Sequence, residues 1–135
     1  MFDTVLIAGL GLMGGSMAKT IKARTLSRVL GWNRTRATAE QALADGSIDA
    51  IATEALYKEA DLVIIGLYPQ ATVDWLLENM PKMKKGCVIV DMVGVKQFMV
   101  DHLEQAALDA GVHYVGGHPM AGREFSGLDF ALPTL

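Results

Sequence analysis

Short apolar runs alternate with helix-like stretches along this chain, and that alternation limits the possible folds more than any other feature of the sequence. The predicted strands span residues 2–8, 28–32, 48–52, 61–67, 87–91 and 112–115. The predicted helices span residues 16–23, 35–44, 53–59, 69–83 and 96–110. The segment 61–67 (DLVIIGL) is an almost continuous apolar run, which is typical of a strand buried on both faces. The alternation therefore predicts an α/β fold, a doubly wound and mainly parallel sheet with helices on both faces.

Size and composition restrict the function classes that this fold could serve. The chain has 135 residues, enough for one domain with a hydrophobic core. A formal net charge of −3 is too small to indicate a nucleic-acid or anionic-membrane partner. The single cysteine, Cys87, and only three histidines argue against a disulfide framework and against a metal site. No apolar run approaches the roughly 20 residues that cross a bilayer, so we expect a soluble, cytoplasmic domain.

A glycine-rich motif follows the first predicted strand directly. The segment 9–14 (GLGLMG) matches the pattern G-x-G-x-x-G and lies between a predicted strand and a predicted helix. In this pattern the first glycine makes a tight turn, the second lets a pyrophosphate approach the backbone, and the third lets helix and strand pack closely. The motif predicts a Rossmann-type dinucleotide-binding domain over residues 1–135, the alternative being a tight turn with no ligand. The candidate cofactor-binding residues here are Gly9, Gly11, Leu12, Met13 and Gly14.

The residues after the second predicted strand favour NADP over NAD as the cofactor. An NAD site usually has an acidic residue there to accept a hydrogen bond from the ribose 2′-hydroxyl, whereas this chain has Asn33, Arg34 and Thr35. A guanidinium and a hydroxyl suit a 2′-phosphate. The alternative is that Arg34 and Arg36 are ordinary solvent-exposed charges, and NAD then stays possible. Tyr68 follows the predicted strand 61–67 at a position that often contacts the nicotinamide ribose, and it is a further cofactor-binding candidate.

A second glycine-rich segment, 116–127 (GGHPMAGREFSG), follows the last predicted strand. Its imidazole, His118, can act as a general base near neutral pH, and Glu124 could orient that imidazole or bind a substrate. In open α/β sheets, ligands bind at this edge of the sheet. The alternative is a glycine-rich turn in which the histidine binds backbone carbonyls.

Together, the segments GLGLMGGS and GGHPMAGREFSG resemble the prephenate dehydrogenase family, which includes arogenate and cyclohexadienyl dehydrogenases. The resemblance covers essentially the whole chain and implies a step of tyrosine biosynthesis. In that step prephenate or arogenate loses a hydride to NAD(P) and then loses carbon dioxide, giving 4-hydroxyphenylpyruvate or tyrosine. The resemblance further implies that His118 accepts the proton of the substrate's 4-hydroxyl and that Glu124 helps to gate the substrate pocket.

The chain departs from the family pattern in two places. Gly94 stands where many members have a serine that assists the histidine, which leaves the support of His118 open. The family's helical C-terminal domain, which forms a homodimer, has no counterpart in residues 1–135. Both prephenate and arogenate stay open as the substrate that the resemblance implies. Two other functions are weighed against this interpretation: another NAD(P)-dependent reductase, such as a pyrroline-carboxylate or hydroxyacid enzyme, and a non-catalytic dinucleotide sensor.

Overall fold

The computed structural model describes residues 2–92, 94 and 97–115, and within them strands and helices alternate as the sequence predicts. The strands are β1 (Thr4–Ala8), β2 (Arg28–Trp32), β3 (Ala50–Ile51), β4 (Leu62–Ile65), β5 (Val88–Asp91) and β6 (His113–Val115). The helices are α1 (Leu12–Arg24), α2 (Arg36–Ala44), α3 (Glu54–Tyr57), α4 (Pro69–Asn79) and α5 (Gln97–Ala110), with a 3₁₀ turn at Met80–Lys82.

All six strands pair in parallel, in the order β3-β2-β1-β4-β5-β6. The predicted α/β class and parallel sheet are confirmed. The chain builds outward from β1 to β3 and then crosses back to place β4 on the other side of β1. The order of the strands therefore reverses between β1 and β4, and ligands of such sheets bind outside the carboxyl ends of the strands at this point.

Both faces of the sheet are covered, because alternate residues of each central strand point to opposite layers. On β1, Leu6 and Ala8 pack into the core that contains α4 and α5, while Val5 and Ile7 pack into the core that contains α1 and α2. Cys87 is fully buried in the first of these cores. Burial raises the pKa of its thiol to about 12, so the thiol stays protonated near neutral pH.

Two helix boundaries differ from the prediction by four residues, each for a local reason. Helix α1 begins at Leu12, four residues before the predicted start, and so contains Gly14 and Gly15 despite their poor helix propensity. Helix α4 ends at Asn79 instead of continuing to residue 83, and the chain continues as a 3₁₀ segment, Met80–Lys82, that contains Pro81. Proline has no N–H to continue the α-helical hydrogen bonds.

Within the described ranges, no helix is both long enough and apolar enough to cross a membrane.

Candidate functional site

The glycine turn between β1 and α1 lies at the carboxyl ends of the strands, beside the crossover to β4. Gly9 has a φ of +96°, and a Cβ atom there would lie 2.7 Å from the carbonyl oxygen of Gly66. A Cβ atom on Gly14 would lie 1.7 Å from the carbonyl oxygen of Gly9, so this position brings α1 directly against the turn. Gly11 differs, because a Cβ atom there would meet nothing within 4 Å. The space in front of Gly11 is therefore open to a ligand.

The N-terminus of α1 faces that open space with its backbone donors uncapped. Gly11 is the N-cap residue and has no side chain to accept from the first turn, which carries no acidic residue either. The first N–H groups of a helix lack intrahelical partners and carry the positive end of the helix dipole. Leu12 is 90% exposed and Met13 is 40% exposed, so neither is buried in the core. This end of α1 is suited to an anionic group such as a phosphate.

The turn between β4 and α4 lies directly against the glycine turn. The Gly66 N–H donates to the Ala8 carbonyl at 2.8 Å, and a Cβ atom on Gly66 would lie 3.1 Å from the Gly9 oxygen. Tyr68 is the N-cap residue of α4 and is 84% exposed, so its ring stands at the carboxyl edge of the sheet. Gly66 was not among the predicted site residues, although a glycine at the end of the most apolar strand is a signal of close backbone approach.

The turn between β2 and α2 carries the three residues predicted to select the cofactor. Asn33 accepts a hydrogen bond from the Leu10 N–H through Oδ1 (2.8 Å) and donates from Nδ2 to the Thr35 carbonyl (3.0 Å). Arg34 and Thr35 are exposed, and within the described part of the chain Arg34 makes no ion pair. Arg36 lies 3.8 Å from Glu40 across an exposed turn of α2. The structure thus leaves Arg34 available to an anionic ligand and gives Arg36 a carboxylate partner.

A groove of about 460 Å³ opens beside Gly11 and runs between α1 and α2. Its polar lining comes from Ser16, Lys19, Thr38, Gln41, Asp45 and Ser47. Lys19 contributes a positive charge, while Asp45 closes the far end. Hydrogen bonds from the side chain and the backbone of Ser47 hold the pKa of Asp45 below its ordinary value, and Lys19 lowers it further. This groove is not predictable from sequence motifs, because its lining combines faces of two helices that only the fold brings together.

The backbone conformation after β5 explains why position 94 is glycine, the residue that departs from the family pattern. Asp91 is 2% exposed, and its Oδ1 accepts a hydrogen bond from the Gly94 N–H at 3.2 Å. Gly94 has a φ of +84°, a left-handed conformation in which serine would be strained. Tyr114 of β6 lies beside this carboxylate, and burial together with the Asp91 charge raises the pKa of its hydroxyl. Glycine at position 94 thus fits the local backbone.

The second glycine-rich segment, 116–127, lies outside the described residues, and so do the predicted catalytic residues His118 and Glu124. Among the residues that the structure does describe, no group of three or more histidine, cysteine or acidic side chains is placed to hold a metal ion.

Comparison with known proteins identifies the family. Residues 17–135 match the model of the prephenate dehydrogenase nucleotide-binding domain. The chain belongs to this family. The prephenate dehydrogenase of Bacillus subtilis (strain 168) is 39% identical over 132 residues, which are 95% of this chain and 35% of that protein. The chain thus spans about a third of the length of this curated relative. The family expected from the two glycine-rich segments is confirmed.

Solved structures confirm the fold but do not distinguish the substrate. A prephenate dehydrogenase from Aquifex aeolicus, in complex with hydroxyphenyl propionate and NAD+, superposes with a TM-score of 0.76 at 26% identity and covers 90% of this chain and 43% of its own. A Mycobacterium tuberculosis 3-hydroxyisobutyrate dehydrogenase gives the same TM-score at 22% identity, covering 90% of this chain and 42% of its own. Two different dehydrogenases therefore share this architecture, and it is the sequence match that assigns the prephenate dehydrogenase family.

Proposed function

We propose that this chain binds a nicotinamide dinucleotide, preferentially NADP, and that the protein oxidatively decarboxylates prephenate. The observation that carries the proposal is the glycine turn at the crossover of the sheet. There the open space at Gly11 meets the uncapped N-terminus of α1, in a chain of the prephenate dehydrogenase family. The left-handed Gly9 and the close packing of Gly14 fit a turn shaped for a pyrophosphate.

The preference for NADP is supported by the charges at the end of β2. Asn33 replaces the acidic residue that would repel a 2′-phosphate. Arg34 is exposed and makes no ion pair within the described residues, and Thr35 adds an exposed hydroxyl beside it. A guanidinium presents a planar set of donors that suits phosphate oxygens. The Aquifex aeolicus relative was solved with NAD+, so NAD is the competing cofactor that the test must include.

The chemistry proposed for the protein follows the family. The nicotinamide, when bound, supplies a hydride acceptor. His118 would accept the proton of the 4-hydroxyl as the ring carbon that bears it gives up its hydride, and loss of carbon dioxide then leaves an aromatic ring. Glu124 would gate the substrate pocket. Arogenate is the alternative substrate, because the residues that discriminate it from prephenate are not identified in this chain.

Titration of the protein with NADP and with NAD tests the cofactor proposal. We expect tighter binding of NADP, and Arg34→Ala should weaken NADP by about tenfold or more while changing NAD by less than about threefold, because a charged hydrogen bond is lost only to the 2′-phosphate. Arg36→Ala is the matched control, since Arg36 already faces Glu40 and should leave both affinities nearly unchanged. Equal or tighter binding of NAD by the unmodified protein would overturn the preference for NADP.

Turnover by the whole protein tests the catalytic proposal. His118→Ala should lower kcat with prephenate by at least about 100-fold, the usual contribution of a general base, while the dissociation constant of the dinucleotide stays unchanged. Glu124→Gln should mainly change KM if Glu124 acts at the substrate pocket. Arogenate assayed in parallel identifies the preferred substrate. Dinucleotide binding without turnover of either substrate by the unmodified protein would favour the sensor interpretation.

A further inference from the structure

We propose that Asn33 is a positioning residue that holds the glycine turn and the β2–α2 turn in one fixed arrangement before the cofactor binds. This inference rests on the proposed function, in which both turns contact the dinucleotide. It assigns to Asn33 a role different from that of a direct ligand of the ribose.

The side chain of Asn33 connects the two turns by accepting one hydrogen bond and donating another. Oδ1 accepts from the Leu10 N–H in the glycine turn, and Nδ2 donates to the Thr35 carbonyl in the β2–α2 turn. A carboxamide supplies one acceptor and one donor group at this separation, whereas a carboxylate supplies two acceptors and would face the Thr35 carbonyl with like polarity. Asparagine therefore satisfies both turns at once, and neither alanine nor aspartate can do so.

The side chain of Leu10 anchors the same point of the turn from the inside. Leu10 is 6% exposed and packs into the core between the sheet and α1 and α2. A Cβ atom on Gly31 would lie 2.9 Å from Leu10 Cδ1, so the glycine inside β2 makes the room that Leu10 fills. Next to it, the Gly9 N–H donates to the Trp32 carbonyl at 2.8 Å. Backbone and side chain of the turn are thus both fixed against β2.

This arrangement has a consequence for binding. Because the Leu10 N–H already donates to Asn33, the donors left for a phosphate are those at the start of α1. A turn held in its binding conformation loses less entropy when the ligand arrives, and this lowers the dissociation constant. The same side chain also fixes the backbone beside Arg34, so it should influence the phosphate end and the 2′ end of the cofactor together.

Three variants separate this role from direct contact with the ribose. Asn33→Ala removes both hydrogen bonds and should weaken NADP and NAD alike, by about tenfold each. Asn33→Asp keeps an acceptor for Leu10 and should return NAD affinity to within about threefold of the unmodified protein, while NADP stays weak because of repulsion from the 2′-phosphate. Thr35→Ala is the control for the two hydrogen bonds, since Asn33 binds the backbone carbonyl of Thr35 and keeps both bonds. Because the Thr35 hydroxyl is proposed to contact the 2′-phosphate, this variant should keep its affinity for NAD and is compared on NAD and on amide exchange only.

Amide hydrogen exchange of Leu10 in the cofactor-free protein provides a readout that does not depend on the dinucleotide. Exchange should be about tenfold faster or more in Asn33→Ala and unchanged in Asn33→Asp and Thr35→Ala. Unchanged exchange in Asn33→Ala would overturn the proposal, and so would a loss of NADP affinity alone in that variant. If the unmodified protein binds neither dinucleotide, the proposed function fails, yet faster exchange in Asn33→Ala would still support the positioning role.

Discussion

At the scale of single residues, two glycines of the same turn, Gly14 and Gly11, should respond differently when each is replaced by alanine. Gly14→Ala would push a methyl group into the Gly9 carbonyl oxygen, which lies 1.7 Å from the Cβ position and belongs to the backbone. We expect the free energy of unfolding to fall by about 3 kcal/mol, because a tightly packed backbone contact has no room to relax. Gly11→Ala meets nothing within 4 Å and should change it by less than about 1 kcal/mol.

Gly11→Ala should affect dinucleotide binding much more than it affects stability. Alanine at position 11 puts a methyl group in the space through which a phosphate would reach α1, so Gly11→Ala should weaken dinucleotide binding by about tenfold or more while the protein stays folded. Urea denaturation followed by titration of both variants checks this. A strongly destabilised Gly11→Ala protein, or one that binds the dinucleotide normally, would contradict the roles assigned to the turn.

Some features of the site are predictable from the sequence, and others depend on contacts between residues that are far apart in the chain. The spacing of Gly9, Gly11 and Gly14 is local, so a fingerprint of six residues identifies the turn. The hydrogen bond between Asn33 and Leu10 joins residues 23 positions apart, and the approach of Gly66 to Gly9 joins two different βα units. Such contacts depend on which strands become neighbours, and no periodicity in the sequence encodes them.

At the scale of elements, the predicted types are correct and the ends are less so. Strand β2 covers the predicted residues 28–32 because an apolar run between polar residues marks both of its ends. Helix α1 starts early because packing of Gly14 against the turn outweighs the low helix propensity of glycine. Strand β3 is reduced to Ala50–Ile51, since it lies at the edge of the sheet and pairs only with β2 among the described strands. Tertiary contacts decide such boundaries.

At the scale of the whole molecule, the carboxyl and amino ends of the parallel strands have different roles. The carboxyl ends carry the candidate site, whereas aspartates bind the backbone at the amino ends. Asp61 accepts the N–H groups of Asp3 and Thr4 at 3.0 and 2.9 Å, before and at the start of β1, and pairs with Lys84. Asp49 accepts the Val29 N–H of β2 at 2.8 Å and pairs with Lys22. These contacts hold the amino ends of neighbouring strands in place. Protonation of the two aspartates at low pH should therefore lower the free energy of unfolding.

The pH dependence of unfolding tests this role of the amino end. Partial burial alone would raise the pKa of Asp61, but the hydrogen bond from Lys84 and the backbone N–H groups lower it overall. A carboxyl whose pKa is lower in the folded state adds stability above its unfolded value, about 4, and that stability is lost as the pH falls through the folded value. Asp61→Asn should therefore lower the free energy of unfolding by about 1 kcal/mol at pH 7, and the difference should shrink below about pH 4.

The control for this measurement is Asp74→Asn, because Asp74 is exposed on α4 and accepts from Gln70 of the same helix. Denaturant titrations of the two variants and the unmodified protein from pH 7 to pH 3 compare them under the same conditions. Only Asp61→Asn should show a deficit that closes on acidification, since its charge ties β1 to the rest of the sheet. A deficit of constant size across this range would mean that the contacts of Asp61 act through shape and hydrogen bonding, with no contribution from its charge.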